Sequence, residues 1–374
     1  MRRSVSPPAF IALVVLLAVS VTGCPAAEVP PEDTSLFGSV EVSVVADADD
    51  GLLGPRDLDF NPDVEGELWV INRTDDATLT ISNVGTTAQA IVRRKDPYAL
   101  HFMEETAALS FSTGMKFGTC GESRNTYDDQ QQGNDFMGPA LWSADAAIYA
   151  ITNPEAVADN GGSDLGSHLD MMHETPLCMG IAWVSDNVYF VFEGLTNTIA
   201  RYDFKTDHGP GFDFHGDGTV ERFVDVDVAR IADVPSHMVY DHDSELLYVA
   251  DTGNNRVSVL DVSTAFQASE FRGFETLVQE STDATWTEFV TGEDAEFQAP
   301  SGLALHDGVL YVGDNLTSRI SAFDLEGNLL ETLDLDIDEG GLMGLRVSPD
   351  GESLYVTDFV GNRVLRVAGL GVAP

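Results

Sequence analysis

The sequence predicts an all-β chain folded as a six-bladed β-propeller, and three observations carry that prediction. First, "LYVADTGNNRV" (247–257) recurs as "LYVGDNLTSRI" (310–320) and "LYVTDFVGNRV" (354–364), with weaker copies in "LWVINRTDDATLTIS" (68–82) and "VYFVFEGLTNTIARYD" (188–203). Second, each copy follows a short apolar strand and a tight turn such as HDG (306–308) or PDG (349–351), and almost nothing repeats at the helical period. Third, the copies return every roughly 40 to 65 residues with three or four strands apiece, which is the period of propeller blades and not of a one-strand solenoid coil.

Inner strands are expected to begin near Pro55, Thr106, Cys178, Pro235, Pro300 and Leu342, which makes six blades. The last blade offers only three strands before Pro374. "VEVSVVAD" (40–47) lies ahead of the first inner strand and can supply the missing outer one, closing the ring and removing an open sheet edge. The expected division is therefore a leader over 1–23, a tether over 24–38 and a propeller over 39–374.

The leader has Arg2 and Arg3 ahead of "FIALVVLLAVSVTG" (10–23), an apolar stretch too short to span a bilayer comfortably. It ends in "VTGC", which resembles the lipobox of bacterial lipoproteins. That resemblance implies lipidation of Cys24, palmitate included, and anchoring of the chain to a membrane through that residue. Pro25 after the cysteine, where Asp would retain the protein at the inner membrane, implies sorting to the outer membrane of the cell envelope. The plainer alternative is an ordinary signal peptide. "PAAEVPPEDTSL" (25–36) reads as an extended Pro-rich tether. Cys120 and Cys178 remain, and in an exported chain a disulfide between them is expected, with a catalytic thiol as the rival.

The precursor carries a formal charge of −43 with only three lysines, Lys95, Lys116 and Lys205. Such a surface repels phosphate backbones, so nucleic acid is excluded as a partner; it suits saline surroundings, or recruits cations.

Propeller connectivity sorts side chains by face. The start of each inner strand and the turn between the second and third strands share one face, the top; the turns after the first and third strands share the bottom. His237 falls at the start of an inner strand, and His101, His168 and His173 fall in connections leading into inner strands, so all four are expected on top. His208, His215, His242 and His306 are expected on the bottom. Cys120 and Cys178 fall on the top of adjacent blades. The irregular segments "CGESRNTYDDQQQGNDFMGPALW" (120–142) and "ADNGGSDLGSHLDMMHETP" (158–176) stretch blades two and three, while five and six are plain. Long loops on a rigid scaffold carry binding, so the functional surface is expected on the top beside blades two to four, unless the loops merely decorate.

Two ion sites are conceivable from residue type. His237 with His101, His168 and His173 forms a neutral-imidazole set of the sort zinc takes, although "HLDMMH" (168–173) is not the HExxH motif. "DHGPGFDFHGDGTVE" (207–221) gathers Asp207, Asp213 and Asp217 around glycines like the opening of a calcium loop, but His215 and Val224 break its pattern and an acidic turn explains it as well. Neither zinc nor calcium is demanded, and no cofactor is expected. No nucleophile elbow, P-loop or dinucleotide fingerprint is present.

The pattern apolar-Tyr-Val-x-Asp-x-x-x-x-Arg-Val resembles the NHL repeat, most clearly over 234–368 and poorly over 100–155. Asp251/Arg256, Asp314/Arg319 and Asp358/Arg363 repeat at one spacing and are expected to fix the turn between second and third strands. The resemblance extends to a lyase, the peptidyl-hydroxyglycine amidating lyase, and implies zinc held by histidines at the starts of inner strands. Here those positions read Asp57, about Ala107, Gly180, His237, Gly302 and Gly344, so only His237 matches, with Arg73 and Arg256 in places comparable to the lyase's arginines. The expected function is a monomeric, membrane-anchored binding module for a protein, peptide or glycan, with the metal-dependent lyase as the alternative. The ligand cannot be named from the sequence.

Overall fold

The computed structural model describes residues 35–124, 135–274 and 277–371. The leader, Cys24 and most of the tether lie outside the described residues. Six sheets stand around a ring. Blade one comprises Pro55–Phe60, Leu68–Asn72, Thr78–Ser82 and Ala90–Arg94; blade two, Thr106–Ser112, Lys116–Gly121, Ala140–Ser143 and Asp170–Met171. Blade three comprises Ile181–Ser185, Val188–Glu193, Thr198–Asp203 and Thr219–Phe223, and blade four Met238–Asp241, Leu246–Asp251, Arg256–Asp261 and Thr285–Thr291. Blade five is Pro300–His306, Val309–Asp314, Arg319–Asp324 and Leu329–Asp334. Blade six takes Leu342–Val347, Ser353–Asp358 and Arg363–Ala368, and its fourth strand is Glu41–Ala46 from the other end of the chain, antiparallel with Glu41 opposite Ala368. The ring closes as the sequence predicts.

Burial is what makes these strands strands. Each adjacent pair of blades shares one apolar cluster: Leu109, Phe117, Trp69 and Trp142 between blades one and two, Ile181, Tyr189, Val191 and Leu141 between two and three, and so on around the ring to Tyr355, Leu58 and Leu79 between six and one. Inner strands crowd at the axis. A Cβ on Gly180 would lie 2.1 Å from the Ser236 carbonyl oxygen and one on Gly302 2.6 Å from that of Met343, so only glycine fits there.

Two departures matter for the site. Packing begins earlier than residue 39: Leu36 and Phe37 are buried, and Glu331 accepts the Leu36 amide at 2.7 Å and the Ser35 hydroxyl at 2.8 Å. They pack into the apolar cluster shared by blades five and six, beside the outer strand of blade five. Blade four also carries a hairpin, Phe266–Arg272 with Leu277–Thr282, whose second strand pairs in parallel with Thr219–Phe223 of blade three and extends that sheet to six strands. Neither "FQASEFR" nor "LVQEST" alternates apolar and polar residues, and the first is exposed throughout, so no local pattern announced it.

Candidate functional site

The top mouth of the central channel is closed by charge. The connection from blade three to blade four crosses it: Arg230 Nη1 reaches Glu122 Oε1 at 2.7 Å, the Asp233 amide donates to both Glu122 oxygens at 3.1 Å, and Asp233 Oδ1 meets Arg73 Nη2 at 2.5 Å. Glu122 Oε2 in turn holds Arg56 Nη2 at 2.7 Å, and Arg56 is fully buried. Burial pulls the Arg56 guanidinium below its usual value while Glu122 pulls it back up, so this pair stands or falls together.

Beneath it lies His237. Its Nε2 is 3.1 Å from the Ala107 carbonyl oxygen, which makes Nε2 the protonated nitrogen, and 3.6 Å from Asp57 Oδ2. Nδ1 has no hydrogen-bond partner among the described residues. Burial lowers the imidazole's pKa against the pull of Asp57, and the ring is neutral. Of the two arginines aligned with the lyase, Arg73 is engaged by Glu105 at 3.2 Å as well as by Asp233, and Arg256 is engaged by Asp251 at 2.8 Å.

His101, His168 and His173 do come together, and His237 does not join them. They meet at the outer edge between blades two and three, where Phe102 stacks on His168 with centroids 4.1 Å apart and Phe136 lies 3.8 Å from His173. His215 completes the group, its ring 5.8 Å from that of His168 and 6.0 Å from that of His173. A cavity of about 260 Å³ occupies the bottom of the central channel, but this edge has its own, about 160 Å³, lined by Tyr98, His101, Phe102, Phe136, Leu165, Met171, His173, Asp213 and His215. Phe274, at the tip of the blade-four hairpin and 49% exposed, stands 5.4 Å from Phe136. Burial, with His215 adding to it, brings His168 down to about 3 and His173 to about 4.

The placement of His168 corrects the face assignment: it precedes blade two's fourth strand, Asp170–Met171, and so lies in the connection after the third strand, the same kind of connection that carries His208 and His215 in blade three. Sequence reasoning places His168 in a connection leading into an inner strand, away from His208 and His215. The chain 204–218 is too long for a simple turn, and blade two takes up its backbone: the His208 amide donates to Leu169 O at 3.1 Å and the Gly211 amide to His168 O at 2.8 Å. Asn153 and Asn160, flanking the helix Pro154–Asp159, hold the carbonyls of Pro210 and Gly211, each at 2.8 Å. His208 and His215 then face Asp170, which the sequence reading passed over. The three acids of the calcium-like loop go to separate partners: Asp207 to Lys116 at 2.6 Å, Asp213 to His215 at 3.3 Å and Asp217 to His208 at 2.9 Å.

Cys120 and Cys178 are bonded to each other, joining the second strand of blade two to the approach to blade three's inner strand. His242 and His306 line the bottom mouth with Trp183 and the Asp59–Arg346 pair, 3.2 Å apart. Of the turn pairs, Asp251–Arg256 and Asp358–Arg363 form within their blades, at 2.8 and 2.5 Å. Arg319 instead takes Asp334 at 2.9 Å and Glu296 at 3.2 Å, while Asp314 caps the amides of Ala299 and Thr317 at 2.8 and 2.9 Å.

The fold defines the class as a six-bladed β-propeller, and solved structures agree with it. A luciferin-regenerating enzyme superposes with a TM-score of 0.54 at 14% identity, covering 89% of this chain and 97% of its own. A streptogramin B lyase gives 0.50 at 11% identity, with 90% and 99% covered, and an auxiliary nutrient binding protein from Bacteroides ovatus ATCC 8483 gives 0.51 at 11%, with 88% and 76%. At these identities the likeness establishes the fold alone. No family's sequence signature matches the chain, and no curated protein matches it. Among the described residues no helix is long and apolar enough to cross a membrane.

Proposed function

We propose that the chain is an exported binding propeller, lipid-anchored through Cys24 in the cell envelope, that takes a peptide, protein or glycan at the pocket on its outer edge between blades two and three. The observation that carries this reading is convergence. The helix Ala99–Phe102, the long segments of blade two, the 204–218 connection of blade three and the hairpin of blade four all deliver side chains to one pocket. Aromatic and imidazole rings dominate it, and rings of this kind stack on the flat face of a sugar or on another aromatic side chain.

The test is a screen of glycans and peptides with the full-length protein. Ligands found should bind at least tenfold more weakly to Phe274→Ala and equally well to His306→Ala, which alters the bottom mouth. Ligands that ignore Phe274 and lose affinity on His306→Ala would move the binding surface to the channel.

The metal-dependent lyase has one observation in its favour, the buried His237 with its bare Nδ1. Against it stand the closed top mouth and the engagement of Arg73 and Arg256 by carboxylates. Metal content lost on His237→Ala, together with lyase turnover, would make it the leading reading.

A further inference from the structure

We infer that Asp170, His208 and Asp217 form a site for a divalent transition-metal ion of the zinc class, which clamps the outer strand of blade two to the insertion of blade three. The site is distinct from the His237 position and does not depend on whether the neighbouring pocket binds a ligand.

One ligand atom from each residue lies within 4.8 Å of the others. His208 Nε2 is 2.9 Å from Asp217 Oδ1 and 3.7 Å from Asp170 Oδ2. Ligands held about 2.0–2.2 Å from a tetrahedral zinc stand roughly 3.3 Å apart, so the three atoms need to move little to share an ion.

Asp170 is already oriented for the task. It is 1% exposed, and its Oδ1 accepts the Met171 amide at 2.7 Å and faces His215 Nδ1 at 3.3 Å. Oδ2 points at His208, beyond hydrogen-bond distance. Among the described residues no lysine or arginine pairs with Asp170, Asp213 or Asp217, and Lys116 is held by Asp207. Asp170 is a buried carboxylate without a fixed counter-charge, which is costly, and a divalent ion supplies that charge.

His168 packs beside the group through His215. Its Nδ1 lies 3.0 Å from the Leu165 carbonyl oxygen and therefore carries the proton. The side chain is fully buried, with its ring 5.8 Å from that of His215 and the Phe212 backbone on its other side. The donors decide the class of ion. Imidazole disfavours calcium and magnesium, and the absence of thiolate from the set disfavours copper(I), leaving a first-row divalent ion of which zinc is the representative tested.

The experiment is zinc titration of untagged, full-length protein in detergent, stripped with EDTA and followed by calorimetry, metal analysis and thermal melting. One equivalent of zinc should bind and raise the melting temperature. His208→Gln, at a partly exposed position, should fold normally and bind at least tenfold more weakly, as should Asp217→Asn, while His237→Ala should bind as the parent does. Less than a tenth of an equivalent in the parent, unaltered affinity in both His208→Gln and Asp217→Asn, tighter binding of calcium than of zinc, or loss of zinc on His237→Ala would each overturn the assignment.

Discussion

Blades five and six and the edge of blades two and three follow one plan and end in different chemistry. In the plain blades the strands are joined by short turns, and the ionic groups are paired close to the chain: Asp358 with Arg363, Arg319 with Asp334. At the elaborated edge, five of the eight histidines and an otherwise cation-free group of carboxylates are drawn together by loops that borrow hydrogen bonds from the neighbouring blade. The difference teaches that a propeller's function is added through insertions that find partners outside their own blade. Where none are inserted, the repeat's conserved-looking charges serve the turns.

The largest effect expected from breaking this contrast is at the interface that closes the top mouth. Glu122→Ala leaves buried Arg56 without its partner and should lower stability by about 3–5 kcal/mol in a denaturant titration. A loss below about 1 kcal/mol would show that water enters and solvates Arg56. Next comes the covalent link between blades two and three. Replacing Cys120 and Cys178 together by serine should lower stability by roughly 2–4 kcal/mol, and alkylation of the unreduced parent should find neither thiol free.

A pH series isolates His237. Burial holds the folded-state imidazole below its ordinary value, so the unfolded chain takes up a proton that the folded chain refuses as pH falls through about 6.5. Stability from this group is complete above that pH and is lost on acidification. His237→Gln, whose amide can still donate to Ala107 O, should flatten the acid limb by at most about 1.4 kcal/mol per pH unit; an unaltered limb would show that His237 titrates normally. The smallest effect belongs to the plain half. Arg319→Ala removes two exposed pairs and should change stability by about 0–1 kcal/mol, with ligand binding untouched. Abolished binding with an unchanged melting temperature would mean that a site had been taken for scaffold.

Much of this was legible from residues. Turn chemistry and two-residue alternation are local, so inner strands were locatable: Pro55, Thr106, Pro300 and Leu342 begin strands where expected, and blades three and four start only three residues later, at Ile181 and Met238. His101 and His173 lie in connections leading into inner strands as expected, whereas His168 precedes the fourth strand of blade two, in the connection after its third strand. His208, His215 and Asp170 were missed for a common reason. The two-residue strand Asp170–Met171 was not recognised as blade two's fourth strand, so the residues before it were assigned to the wrong connection, and the 204–218 segment docks on that strand.

The sequence by itself determined the blade number and the closure of the ring by residues near 40–47, which follow from short-range pattern and from the need to leave no strand edge open, and it left Cys120 and Cys178 as the one pair available for a disulfide. Tertiary structure alone decided which insertions meet, which carboxylates lack a cation and which imidazole nitrogen is left bare. Those outcomes depend on where long loops satisfy their backbone hydrogen bonds and on how deeply each charge is buried, quantities set by neighbours far along the chain and by no local pattern.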